Sequence, residues 1–90
     1  MRRSVARPDE FLIALGEVIH ERRIHLGRSQ QELADLAGVH RTYISDIERG
    51  ARNLTVTTVS RLAEALDVTP SRLFRLADDK LDVLVAAGNH

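Results

Sequence analysis

Apolar residues recur at helical spacing in five stretches of the chain, separated by glycine, proline and short polar segments. Phe11, Leu12, Leu15, Val18 and Ile19 make the first stretch, which Asp9 can open. Glu10 and Glu17 lie toward its N-terminal half, and Arg22, Arg23 and His25 close it, the polarity a helix dipole favours. Gly27 is a stop signal. Ser29 followed three residues later by Glu32 reads as a capping box ahead of Leu33, Ala34, Leu36 and Ala37. Gly38 ends that short helix in a conformation that costs glycine little. His40 is the expected cap of the third helix, whose apolar side is Tyr43, Ile44 and Ile47 and whose stop is Gly50.

Residues 51–54 read as a loop. Thr55 then caps a fourth helix carrying Val56, Val59, Leu62, Ala63 and Leu66, ended by Asp67-Val68. Thr69-Pro70 start a fifth with Leu73, Phe74 and Leu76, proline taking the first helical position. Asp78-Asp79 are expected to break it. A last apolar cluster, Leu81, Val83, Leu84 and Val85, is compatible with a helix or a short strand. The second and third helices, joined by a tight glycine-containing turn, have the outline of a helix-turn-helix.

At 90 residues the chain holds one domain with tails: a basic arm over 1–8, a domain over 9–76 and a C-terminal extension over 77–90. β-branched alternation is scarce, and Phe11, Tyr43 and Phe74 are the only aromatics, so aliphatic residues must build an all-α core. Thirteen Lys+Arg balance thirteen Asp+Glu, which argues against an indiscriminate coat for polyanions but not against one basic face. Arg2, Arg3 and Arg7 lie in an acid-free arm, while Asp67, Asp78, Asp79 and Asp82 gather late. That arm can enter a DNA groove or remain a tail. The absence of cysteine removes disulfides, thiolate nucleophiles and Cys-bound zinc, and it suits the cytoplasm. His20, His25, His40 and His90 show no metal spacing, and no constellation activates a nucleophile. Neither a metal, a cofactor nor an enzymatic activity is expected.

The stretch SQQELADLAGVHRTYISDIERGARNLT, with Leu15-Gly16, Ile19 and Arg23 before it and Leu62-Ala63 and Leu66 after it, resembles the Cro/repressor-type (XRE) helix-turn-helix family. Arg41-Thr42-Tyr43-Ile44-Ser45, Ile47-Glu48-Arg49 and Arg52-Asn53-Leu54-Thr55 resemble in particular the controller proteins of restriction–modification systems. Two positions depart from that pattern. Asp46 stands where controllers often carry glycine, and Arg28 replaces an apolar residue before the Ser-Gln cap.

The resemblance implies a five-helix, lambda-repressor-like DNA-binding domain with a short C-terminal extension, acting as a homodimeric transcription regulator on a palindromic operator. Arg41, Thr42, Tyr43, Ser45 and Asp46 would then face base edges in the major groove. Arg41 can bond guanine bidentately, Thr42 can meet a base or a thymine methyl, and Tyr43 can reach a base or pack on the sugar–phosphate. Asp46 can accept from cytosine, repel misplaced phosphate, or pair internally with Arg49 or Arg41. Gln30, Ser29, His40, Arg49, Arg52 and Asn53 are the expected phosphate contacts. Arg23 and Glu48 would form a structural salt bridge between the first and third helices. Leu73, Phe74, Leu76 and Leu84 are the candidate dimer contacts. The same apolar C-terminal cluster would also suit an antitoxin-like module whose main partner is another protein.

Overall fold

A computed structural model describes residues 8–88, and the arm expected over residues 1–8 falls, apart from Pro8, outside them. The order is α1 (Pro8–His25), α2 (Gln30–Ala37), α3 (Arg41–Glu48), α4 (Val56–Ala65) and α5 (Pro70–Gly88), with no strand among the described residues. Local signals account for most of the boundaries. The Ser29 hydroxyl accepts from the Glu32 amide at 3.0 Å, and the Ser29 amide donates to Glu32 Oε1 at 2.8 Å, closing the capping box. Gly38 ends α2 at φ 72°, and Thr55 caps α4 by accepting from the Thr58 amide at 3.1 Å. His40 occupies the N-cap position of α3 by its backbone angles, but its side chain makes no capping bond. His40 is thus the expected N-cap residue, with the cap made by its backbone alone. Short oxygen-bearing side chains reach the second and third amides of a helix far better than an imidazole does.

α1 is the axis of the domain. It packs along α5 and crosses α3, while α2 packs on α3 and α4. Leu15, Val18 and Ile19 of α1 meet Leu33 and Ala34 of α2, Ile44 and Ile47 of α3, Leu62 of α4 with Leu66 at its C-cap, and Leu73 and Ala77 of α5 in one buried cluster. The α1–α3 crossing is close. A Cβ at Gly16 would sit 2.3 Å from the Ile47 carbonyl oxygen and 2.9 Å from that of Glu48. Only glycine lets the two backbones approach this far, so Gly16 sets how α3 lies on the body.

α4 carries no basic residue in its own last turn. The carbonyls of Ala65 and of the two residues that follow the helix are paired from elsewhere. Arg22 Nε donates to the Leu66 carbonyl at 2.8 Å and Arg22 Nη2 to that of Asp67 at 3.3 Å, while Arg28 Nη1 donates to the carbonyl of Ala65. A helix end leaves its last carbonyls without intrahelical partners, and guanidinium donors suit both their geometry and their partial charge. Arginine at position 28 thus has a structural use that an apolar residue there could not serve.

The expected break at Asp78-Asp79 does not occur, and the open question of the last apolar cluster resolves as helix: α5 runs to Gly88. Leu73, Ala77 and Leu81 recur every four residues and are buried, while Asp78 and Asp79 face outward. An aspartate in a helix interior costs roughly 0.7 kcal/mol or less relative to alanine. Burying one leucine returns about 1.5–3 kcal/mol, so packing on α1 carries the helix past both acids. Lys80 Nζ bridges to Glu21 Oε2 of α1 at 2.6 Å along the same seam. No helix among the described residues is long and apolar enough to cross a membrane.

Candidate nucleic-acid interface

α2 and α3 present their apolar sides inward through Leu33, Ala34, Ala37, Ile44 and Ile47. The periodicity that buries Ile44 and Ile47 turns Arg41, Thr42 and Arg49 to solvent, with Ser45 and Asp46 half-buried beside them. These five positions lie on one side of α3. Tyr43 is half-buried and packs against the core, so its ring is anchored and only part of it faces outward. A shallow groove lined by Val39, His40, Thr42, Tyr43 and Arg52 runs beside the start of α3.

Beneath this face lies a buried ion pair. Arg23 Nε donates to Glu48 Oε2 at 2.6 Å and Arg23 Nη2 to Oε1 at 3.0 Å, with the two side chains only 8% and 5% exposed. Arg23 Nη1 also donates to the Arg28 carbonyl at 2.8 Å. His20 Nδ1 lies 2.9 Å from Glu48 Oε1 and 3.1 Å from Arg23 Nη2. Burial pushes the Glu48 carboxyl up, but hydrogen bonds from Arg23, His20 and Gln30 outweigh it and hold the group below the usual glutamate range.

Gln30 links this pair to the surface. Its Nε2 donates to Glu48 Oε1 at 3.0 Å, and its Oε1 accepts from Arg41 Nη1 at 3.5 Å. A side chain at the N-terminus of α2 is thereby fixed between a buried carboxylate and an exposed arginine of α3. Ser29 commits its oxygen to the α2 cap, leaving its O–H free to donate outward. Asn53 is exposed in the loop after α3.

Asp46 is paired internally. It accepts from Arg49 Nη2 and, at 3.1 Å, from Arg52 Nη2. The hydrogen bond from Arg52 is the largest influence holding its carboxyl below the ordinary aspartate range, burial opposing and Arg49 reinforcing it. Arg52 also stacks over the Tyr43 ring, its Cζ 4.8 Å from the ring centroid. Arg49 was a foreseeable partner three residues along the helix. Arg52 lies beyond the helix end, where no periodicity placed it, and Arg41 turns to Gln30 instead.

On the far side of the domain, the candidate dimer contacts divide. Leu73 is fully buried within the chain, which corrects its assignment to an interface. It sits on the α1-facing side of α5, four residues before Ala77. Phe74 remains 40% exposed although its ring centroid lies 5.9 Å from that of Phe11. Leu76 and Leu84 are half-buried, and Val83 and Val85 are exposed nearby. The contacts that the sequence did not foretell are those of His20, Arg22 and Arg28. The signal for His20 was present, since it lies three residues before Arg23 on the same face of α1.

A family model described as helix-turn-helix matches residues 19–73. The Control protein C.BamHI of Bacillus amyloliquefaciens is 46% identical over 55 residues, which cover 58% of this chain and 68% of that protein. Among solved structures, the restriction-modification controller protein C.AhdI from Aeromonas hydrophila superposes with a TM-score of 0.67 at 40% identity, covering 69% of this chain and 94% of its own. The restriction-modification controller protein C.Esp1396I, solved as a tetramer in complex with its natural 35 base-pair operator, superposes with a TM-score of 0.72 at 32% identity. That match covers 79% of this chain and 93% of the controller.

Proposed function

The chain belongs to the helix-turn-helix family of DNA-binding transcription regulators, and we propose that it acts as a homodimer on a two-fold symmetric operator, as a controller of a restriction–modification system. The observation that carries this reading is the side of α3 that bears Arg41, Thr42 and Ser45, held outward by the burial of Ile44 and Ile47. A helix of this size fits the major groove, and its first residues are those that reach base edges. Arg41 is the principal reader, its guanidinium suited to the O6 and N7 of guanine, with Thr42, Tyr43 and Ser45 beside it. Gln30, Ser29, His40, Arg49, Arg52 and Asn53 hold the backbone on either side.

One α3 reads only a few base pairs, so two copies are needed, with half-sites about 34–36 Å apart. Phe74, Leu76 and Leu84 of α5 supply the apolar surface for that pairing. A controller structure solved as a tetramer on its operator supports an oligomeric mode of binding. The protein works by occupying DNA and not by catalysis, in the cytoplasm where the operator lies.

Selection from a random duplex library at near-physiological salt tests the reading. A two-fold symmetric motif with fixed spacing is expected. A folded protein that enriches no motif would overturn it.

A further inference from the structure

The cluster at the end of α3 gives Asp46 a role that neither base reading nor simple repulsion describes. Its carboxylate ties two guanidiniums at once, those of Arg49 and Arg52, from two different parts of the backbone. Its side chain is only 19% exposed, whereas those of Arg49 and Arg52 are 65% and 51% exposed. The carboxylate is therefore the covered hub and the arginines are the arms that reach solvent. Tyr43, itself anchored on the core, provides a second fixed surface for Arg52.

We propose that Asp46 is a specificity-determining residue that acts through Arg49 and Arg52, holding both guanidiniums in one rigid cluster with Tyr43. This deepens, and rests on, the DNA-binding reading above.

Binding to arbitrary DNA is almost wholly a matter of neutralising phosphates, and flexible arginines adapt to any phosphate they meet. Two arginines tied to one carboxylate present a local charge nearer one than two, and must break a charge-assisted bond before they can adapt. Non-specific binding loses on both counts. Binding at the operator loses less, because a pre-oriented pair gives up little side-chain freedom when the groove matches its placement. The ratio of the two affinities rises, although neither arginine gains a new contact.

Fluorescence anisotropy tests this with wild type, Asp46→Asn and Asp46→Ser, each also made in an Arg49→Ala/Arg52→Ala background. The probes are the duplex enriched by selection and a scrambled duplex of equal length. Freeing the arginines is expected to tighten binding to the scrambled duplex about three- to tenfold and to steepen its salt dependence by about one unit of slope. The preference for the enriched duplex falls accordingly, and in the arginine-free background the gain disappears. An equal gain in that background would show Asp46 acting as a bare charge and would overturn the proposal. So would unchanged binding to the scrambled duplex in both Asp46 variants while selection still yields a motif. If the folded protein yields no motif, the DNA-binding reading fails and this one falls with it.

Discussion

The side-chain nitrogen Nε2 of Gln30 donates to Glu48 Oε1 at 3.0 Å, joining the first residue of α2 to the last of α3 through a buried carboxylate. The Arg23–Glu48 pair thus does more than hold α1 to α3. It fixes the amide plane of Gln30, whose oxygen faces Arg41. Substituting Gln30 with alanine should weaken DNA binding across all sequences, which binding to a panel of single-base operator variants would show. Arg41→Ala should instead erase preference at one base pair, a loss of about 1–3 kcal/mol of discrimination.

Glu48→Gln leaves the Arg23 guanidinium buried without a counter-charge. The expected destabilisation is about 3–5 kcal/mol, read from urea unfolding. Replacing both partners, as in Arg23→Met/Glu48→Met, should recover much of that loss, since the second change removes the stranded charge. A double variant no more stable than Glu48→Gln alone would refute the account.

The same carboxylate gives stability a definite pH dependence. Its folded-state pKa is lowered relative to the ordinary value of 4.5, so its contribution is fully present above that value. It is lost as pH falls through the lower folded value. The stability gap between wild type and Glu48→Gln should therefore be constant near neutrality and narrow below pH 4.5, as acid titration of unfolding midpoints would reveal.

Gly16→Ala sets two effects against each other. Alanine improves helix propensity by about 0.8–1 kcal/mol. The added Cβ, however, meets two backbone carbonyl oxygens of α3, which cannot rotate away as a side chain can. Overpacking of this kind costs about 1–3 kcal/mol or more, so a net loss of stability is expected. The variant should also bind DNA more weakly than its melting temperature alone explains, because α3 is pushed off α1.

His40→Asn should stabilise the domain. It places a short acceptor at a position whose backbone already has N-cap angles but whose side chain makes no capping bond. A gain of about 1 kcal/mol is expected. For a domain of this length that corresponds to a melting point higher by about 4–8 °C.

Features governed by neighbours in sequence were legible in advance. Ser29 and Glu32 form their box, Gly38 adopts the left-handed turn, and Thr55 caps α4, since each depends on atoms within four residues. The face of α3 was legible for the same reason, Ile44 and Ile47 setting its orientation. What escaped depends on contacts made across the fold. Asp78-Asp79 look like an end until α5 is laid along α1 and Leu81 is found buried. Leu73 reads as surplus apolar area until α5 is laid against α1. Arg52 finds Asp46 and Tyr43 only because the loop after Gly50 folds back beside α3. Arg22 and Arg28 show no hint in their own surroundings that they serve the end of a helix about forty residues away.

That last arrangement bears on how the domain comes apart. Because guanidiniums from α1 and from the turn before α2 bond the carbonyls of Ala65, Leu66 and Asp67 at the end of α4, that end is expected to loosen when α1 undocks. Opening of either segment exposes the other, so the N-terminal and C-terminal halves form a single cooperative unit instead of two separable ones. In native-state hydrogen exchange, the amides of Leu62 and Ala63 should exchange with the same free energy as those of Val18 and Ile19, and Arg28→Ala should lower all four together.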